Sequence, residues 1–102
     1  MTRYALWVHD SVRDEMDALP GNMRQRARRA ISALRDDARP SASKALTLPD
    51  DITLEVRRIR LDPWRIVYAI DEEEQAIAVF AIRRRPPYDY DDIEELLRLK
   101  RR

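Results

Sequence analysis

The side chains best suited to chemistry in this sequence are arginines, because 18 of its 20 basic residues are Arg and only two are Lys. Arg presents a planar fork of donors that matches a phosphate group, whereas Lys more often serves general solubility. A genome rich in G and C would raise the Arg content without any function, and composition alone does not separate the two explanations. The formal net charge is only +1, so an anion site must come from where the arginines lie.

The rare residues exclude several kinds of site. The chain has no cysteine, one histidine and one glycine. Disulfides, thiolate zinc sites, cysteine nucleophiles and glycine-rich phosphate loops are therefore excluded. The single histidine, His9, lies between a predicted strand and a predicted helix, where a structural role is favoured over catalysis. We predict neither a metal nor a cofactor.

The length and the hydropathy pattern set the class of protein. A chain of 102 residues with an apolar share of 44% predicts a single folded domain over residues 1–102. Its longest apolar run, residues 76–82, is far shorter than the ~20 residues of a membrane span. The first ten residues also lack the apolar stretch of a signal peptide. We therefore expect a cytoplasmic protein with no membrane partner.

Hydrophobic periodicity predicts a helical hairpin near the start of the chain. A short strand over residues 4–9 is followed by a helix that begins at Asp10 or Ser11 and ends at Pro20. A longer helix over residues 22–38 carries an apolar stripe with a period of 3.6 residues. The short turn between the two helices predicts that they pack side by side.

The rest of the chain predicts a sheet and a last helix. After a loop over residues 40–51 the apolar period becomes two, which is typical of strands. The predicted strands cover residues 52–61, 64–70 and 76–82, and a C-terminal helix lies within residues 89–102. The predicted class is α+β, with a helical hairpin packed on a small, mainly antiparallel four-stranded sheet in the order β-α-α-β-β-β-α.

The last two strands bring arginines together. If the acidic turn over residues 71–74 pairs Ile70 with Ala76, Arg65 lies opposite residue 81. Because side chains on one face repeat every second residue, Arg65, Arg83 and Arg85 then project from the same face. Three guanidinium groups on one face repel each other unless an anion binds, and a nucleic-acid phosphate or an acidic partner helix would serve. The alternative is a surface network of ion pairs with Asp62, Glu55 or the C-terminal acids.

Three strings of residues resemble the RelE/ParE toxin superfamily. They are RIRL at residues 58–61, WRIVY at residues 64–68 and VFAIRRR at residues 79–85. Upstream pieces also match in order and spacing, namely Tyr4, the Leu19–Pro20 pair, Leu34 and KAL at residues 44–46. The resemblance covers about residues 4–92, which is nearly the whole chain.

The resemblance implies the toxin of a type II toxin–antitoxin pair, neutralised by a cognate antitoxin protein. RelE-like members cleave messenger RNA at the ribosome without a metal. The 2′-hydroxyl attacks the adjacent phosphate and leaves a 2′,3′-cyclic phosphate and a 5′-hydroxyl. The resemblance leaves two alternatives open, a ParE-like inhibitor of DNA gyrase and a non-catalytic relative that only binds a partner.

The resemblance also assigns roles to individual residues. Arg65 would hold the scissile phosphate, Arg85 would stabilise charge in the transition state, and Tyr88 or Tyr90 would stack on a base or assist proton transfer. The alternative for the two tyrosines is packing of the last helix. The residues implied to grip RNA are Arg58, Arg60, Arg83, Arg84 and Lys44.

The proton-transfer group is left open. Some nucleases of the superfamily use a C-terminal His, and this sequence has none after His9. Arg does not serve as an acid or a base because its pKa stays above ~12. A tyrosine, a carboxylate such as Glu55, or water remains for this role. Five acids over residues 89–95 would also oppose RNA if they faced the site.

Overall fold

The computed structural model describes residues 3–51, 53–61 and 63–84. Within them lie two helices and five strands: β1 (Ala5–Val8), α1 (Asp10–Asp17), α2 (Gly21–Ala33), β2 (Ser43–Ala45), β3 (Glu55–Leu61), β4 (Trp64–Asp71) and β5 (Ala76–Arg84). The predicted C-terminal helix, together with Arg85, Tyr88 and Tyr90, lies outside the described residues.

The five strands form one mixed sheet in the order β1-β5-β4-β3-β2. Strand β1 runs parallel to β5, and the other neighbours are antiparallel. The predicted α+β class is confirmed, but the sheet has five strands where the sequence predicted four. The additional strand, β2, lies in the predicted loop over residues 40–51. Its three residues carry no alternating pattern, and pairing with β3 is what makes them a strand.

Both helices pack on one side of the sheet, which we call the helix face. The buried positions of α1 and α2 follow the predicted stripes, because Val12, Ala27 and Ile31 all point into the core. They contact every second residue of the central strands. The sheet residues of this core are Ile59, Ile66, Tyr68, Ile70, Ile77, Val79 and Ile82. Burial of each large aliphatic side chain contributes about 1.5–3 kcal/mol, so this layer holds the helical hairpin on the sheet.

The helix ends differ slightly from the predicted ends. His9 is the N-cap of α1 and its carbonyl accepts the Val12 amide at 2.9 Å, without a side-chain cap. His9 therefore lies at the start of the helix as predicted, and the role of its imidazole stays a prediction. Helix α2 ends at Ala33, five residues earlier than predicted, and the chain continues through turns to Ala38.

Tyr68 connects the central strand to the segment that follows α2. Its side chain is fully buried, and its hydroxyl donates to the Ala38 carbonyl at 2.7 Å. Burial raises the pKa of the Tyr68 phenol, so the hydroxyl keeps the proton that it donates. The apolar stripe of the predicted helix continued to Ala38 because Ala38 is indeed buried, although its backbone is no longer helical.

Candidate functional site

The sheet surface turned away from the helices, which we call the opposite face, has an apolar half and a basic half. The apolar half is a second buried cluster made of Val56, Val67, Ala69, Phe80 and Ala81. Beside it, Trp7 of β1 is 64% exposed and borders a shallow depression of about 480 Å³. The basic half follows on the same strands, where β3 and β5 end and β4 begins.

A β-bulge in β5 sets which residues reach the opposite face. Tyr68 pairs with Val79, but its neighbour Val67 pairs with Ala81, so Phe80 is the extra residue of the bulge. Because side chains alternate along a strand, one extra residue exchanges the two faces for everything after it. Phe80 and Ala81 therefore both belong to the opposite face, and the alternation restarts at Ala81.

The bulge places two of the predicted arginines side by side. We predicted Arg65 opposite Ala81, and this register is wrong because Arg65 pairs with Arg83. Near the turn, Ile70 pairs with Ile77 and not with Ala76 as predicted. This shift of one residue alone would move Arg83 to the helix face. The extra residue, Phe80, moves it back. Arg65 and Arg83 therefore share a face as predicted.

A third arginine extends this arrangement across the sheet. Arg60 of β3 pairs with Arg65 of β4, so Arg60, Arg65 and Arg83 lie next to each other on three adjacent strands. We call these three residues the basic row. Directly paired residues of antiparallel strands have Cβ atoms about 4.5–5.5 Å apart. Neighbouring members of the basic row therefore start from backbone positions close enough for their long side chains to reach one common anion.

The remaining predicted RNA-binding residues divide between the two faces. Arg58 follows the basic row on β3, and Lys44 of β2 pairs with it on the same face. Arg84, in contrast, pairs with Trp64, which packs against the helix-face core. Arg84 is exposed but lies on the helix face, away from the basic row. The structure thus brings Arg58 and Lys44 to the basic half and does not bring Arg84 there.

The three members of the basic row differ in exposure. Arg60 is exposed, whereas Arg65 is 1% exposed and donates from Nη1 to the Trp64 carbonyl at 3.0 Å. A buried charge is stable only with good partners, since its desolvation costs several kcal/mol. A ligand phosphate could therefore contact Arg65 only if the groups that cover it move aside.

Arg83 has an ion-pair partner that the sequence did not suggest. Its guanidinium pairs with the carboxylate of Glu15 in α1. Glu15 lies one residue before the partly buried Met16 and three after the buried Val12, and this spacing places it on the packed side of α1. That spacing is the feature of the sequence from which a contact with the sheet could have been predicted.

Glu55 is not placed to act as a base at the basic row. It pairs with Ile70 in the sheet register and therefore lies on the helix face. Its carboxylate accepts hydrogen bonds from Arg39, the shortest at 2.7 Å, and from Arg57 at 2.9 Å. Hydrogen bonds from Arg39, and then from Arg57, hold the pKa of Glu55 below its ordinary value of 4.5. The alternative that Glu55 pairs with the site arginines is also wrong for the described residues.

We expect the Glu55 ion pairs to make part of the stability dependent on pH. A carboxyl whose pKa is lowered by folding adds stability above its unfolded pKa and loses it as the pH falls through the folded pKa. Replacing Glu55 by Gln should therefore lower the free energy of unfolding at pH 7, and the loss should shrink below about pH 4.5. Urea titrations from pH 3 to pH 7 measure this difference.

The matched control for this experiment is Glu73→Gln, which removes an exposed carboxylate from the turn between β4 and β5. Its effect should be small at every pH. A stability loss at Glu55 that stays the same from pH 7 to pH 3 would contradict the role given to the ion pairs.

Two further findings bound the site. Within the described residues, no three His, Cys, Asp or Glu side chains form a group that could hold a metal ion. Neither of the helices described here is long and apolar enough to cross a membrane. Arg85, Tyr88 and Tyr90 lie outside the described residues, so their predicted roles remain predictions.

A comparison with protein families identifies the class of this chain. The family model described as the ParE toxin of the type II toxin–antitoxin system parDE matches residues 8–86. The chain therefore belongs to the ParE toxin family of type II toxin–antitoxin systems, within the RelE/ParE superfamily. The resemblance predicted from the sequence is confirmed. A comparison with curated proteins gave no match.

Solved structures of RelE toxins share the fold. The RelE–RelB complex from the archaeon Pyrococcus horikoshii OT3 has a TM-score of 0.73 at 19% identity, covering 85% of this chain and 100% of that one. The RelBE2 complex of Mycobacterium tuberculosis has a TM-score of 0.66 at 16% identity, covering 82% and 100%. The isolated RelE toxin of Escherichia coli has a TM-score of 0.64 at 20% identity, covering 96% and 97%.

Proposed function

We propose that this toxin cleaves messenger RNA on the ribosome and holds the RNA backbone at the basic row. The observation that carries the proposal is the alignment of Arg60, Arg65 and Arg83 on three adjacent strands. Attack of a 2′-hydroxyl on the adjacent phosphate builds up negative charge on the phosphoryl oxygens. Guanidinium groups around that phosphate stabilise the charge and require no metal, and Arg65 joins them once the groups that cover it move aside.

The surrounding residues fit a bound RNA strand. Arg58 and Lys44 extend the positive charge from the basic row towards the edge strand β2, in the manner of a groove that follows a backbone. The group that takes the 2′-hydroxyl proton is proposed to be Tyr88, Tyr90 or water, since Glu55 lies on the other face of the sheet. Arg85 is proposed to assist with transition-state charge.

We also propose that a cognate antitoxin covers the opposite face. Two of the structures that share the fold are complexes of RelE-type toxins with their antitoxins. The apolar half of the opposite face offers an exposed side chain at Trp7, beside the shallow depression, while its cluster residues such as Phe80 are buried, and the basic half offers Arg58 and Arg60. An antitoxin segment with apolar side chains over the first half and acidic ones over the second half would match both.

A second candidate function is inhibition of DNA gyrase, because the family model that matches the chain is the one for ParE toxins. The two functions are separated by testing the purified protein in two assays. We expect it to stop incorporation of labelled amino acids in a translating extract and to leave gyrase supercoiling of a plasmid unchanged. Inhibited supercoiling with normal translation would replace the ribonuclease by the gyrase inhibitor.

A further inference from the structure

Glu15 lies beside a part of β5 that has no neighbouring strand on that side among the described residues. Strand β1 pairs with β5 only as far as Val8 and Val79, and α1 follows directly in the chain. In this position the Glu15 carboxylate accepts the Ile82 amide at 3.5 Å and pairs with the Arg83 guanidinium. One carboxylate thus contacts both the edge of β5 and a member of the basic row.

The ion pair draws Arg83 around the edge of the sheet. Arg83 is the register partner of Arg65, so its side chain starts from the opposite face. Glu15, in contrast, belongs to a helix that packs on the helix face. The side chains of Arg83 and Glu15 are 25% and 26% exposed. Partial burial makes such a pair stronger than a fully exposed one, because water screens it less.

We propose that Glu15 is a positioning residue that competes with the RNA phosphate for Arg83. While the pair is intact, Glu15 offsets one of the three charges of the basic row and holds its guanidinium towards α1. A bound phosphate gains the full contact with Arg83 only when it displaces the carboxylate. This inference rests on the proposed function, since it concerns RNA at the same row.

The competition predicts that removing the Glu15 charge strengthens RNA binding. The probe is a fluorescent decamer of 2′-O-methyl RNA, which keeps the phosphates and lacks the attacking hydroxyl. We expect Glu15→Gln to bind it about fivefold more tightly at low salt, which is the strength of a partly exposed ion pair. The slope of log K against log salt should steepen by about 0.7, the value of one more phosphate contact on a single strand.

Three variants separate positioning from a structural role. Asp17→Asn removes the same charge from an exposed place on α1 and should change the slope little. Arg83→Gln breaks the same ion pair from the other side and should weaken binding. The combination of Glu15→Gln with Arg83→Gln should bind like Arg83→Gln alone. If the ion pair had only a structural role, Glu15→Gln and Arg83→Gln would instead change RNA binding in the same direction.

The outcomes also distinguish this inference from the proposed function. If Arg60→Ala weakens binding but Glu15→Gln and wild type bind equally, the role of Glu15 is overturned and the basic row stands. If binding is the same with and without Arg60, the proposed RNA site is overturned. RNA that binds neither wild type nor Glu15→Gln would overturn both. Urea unfolding of each variant shows whether it is folded under the assay conditions.

Discussion

Replacing Arg65 by Met is expected to reduce messenger-RNA cleavage by a factor of about 100 or more in a protein that is still folded. Arg65 is the central member of the basic row and the one whose charge is almost completely buried. Losing one fixed donor to the transition-state charge costs about 10²–10³ in rate. Met keeps most of the buried volume but leaves the Trp64 carbonyl without its donor, so we also expect a loss of about 1–3 kcal/mol in the free energy of unfolding.

The experiment is informative because the expected loss of cleavage is much larger than a modest loss of stability in a folded protein would cause. Full-length message is followed over time in a translating extract, and the free energy of unfolding is measured in urea. Arg26→Met, at an exposed position of α2, serves as the control and should change neither quantity. An Arg65→Met protein that cleaves at the wild-type rate would remove Arg65 from the site. An Arg65→Met protein that no longer folds would show that the Arg65 guanidinium is needed for folding.

Truncating Tyr68 to Ala is expected to remove most of the stability of the protein. The ring is fully buried between the sheet and the helices, and the hydroxyl donates to the Ala38 carbonyl. Large-to-small changes of buried aromatic residues cost about 3–5 kcal/mol. The buried carbonyl of Ala38 also loses its donor, which adds about 1–3 kcal/mol. The total is comparable to the ~5–15 kcal/mol that stabilises a typical domain.

Two milder variants separate packing from the hydrogen bond. Tyr68→Phe keeps the ring and should cost about 1–3 kcal/mol, the penalty for leaving a buried acceptor without its donor. Tyr4→Phe removes a hydroxyl that donates to Glu72 at an exposed position, so its cost should be well below that. Urea unfolding curves give all three values. Equal losses for Tyr68→Phe and Tyr4→Phe would contradict the importance of burial.

The fold was largely predictable because the apolar pattern changes its period where the structure changes its elements. The period of 3.6 residues predicted both helices, the period of two predicted β3, and the β-branched, aromatic and apolar runs predicted β4 and β5 close to their observed bounds. Strand β2 could not be predicted, because its three residues become a strand only through pairing with β3. The same is true of the end of α2, where buried Ala38 extends the apolar stripe beyond the helix.

The candidate site was predictable in its residue types and less so in its geometry. Alternation along the strands predicted that Arg65 and Arg83 share a face, which is correct. Two deviations of one residue each, at the turn and at Phe80, combine to give this result. Neither a turn register nor a bulge is visible in the hydropathy pattern. Long-range pairing therefore decided the position of Arg83.

The partners of the charged residues were the least predictable part. Glu15 contacts both the Ile82 amide and the Arg83 guanidinium, although Ile82 is 67 residues away in the sequence. Glu55 was considered as a base and instead pairs with Arg39 and Arg57 on the helix face. Such pairs depend on how the helices dock on the sheet. Sequence spacing predicts which side of a helix packs against the sheet, but not which sheet residue each helix residue contacts.

The central claim is that the basic row holds the phosphate that is attacked during cleavage. The most direct measurement maps the ends of messenger RNA at single-nucleotide resolution in a translating extract, with wild type and with Arg65→Met. We predict cuts within codons that carry 2′,3′-cyclic phosphates, require ribosomes and disappear with Arg65→Met. Intact messages with wild type, or the same cuts with Arg65→Met, would contradict the claim.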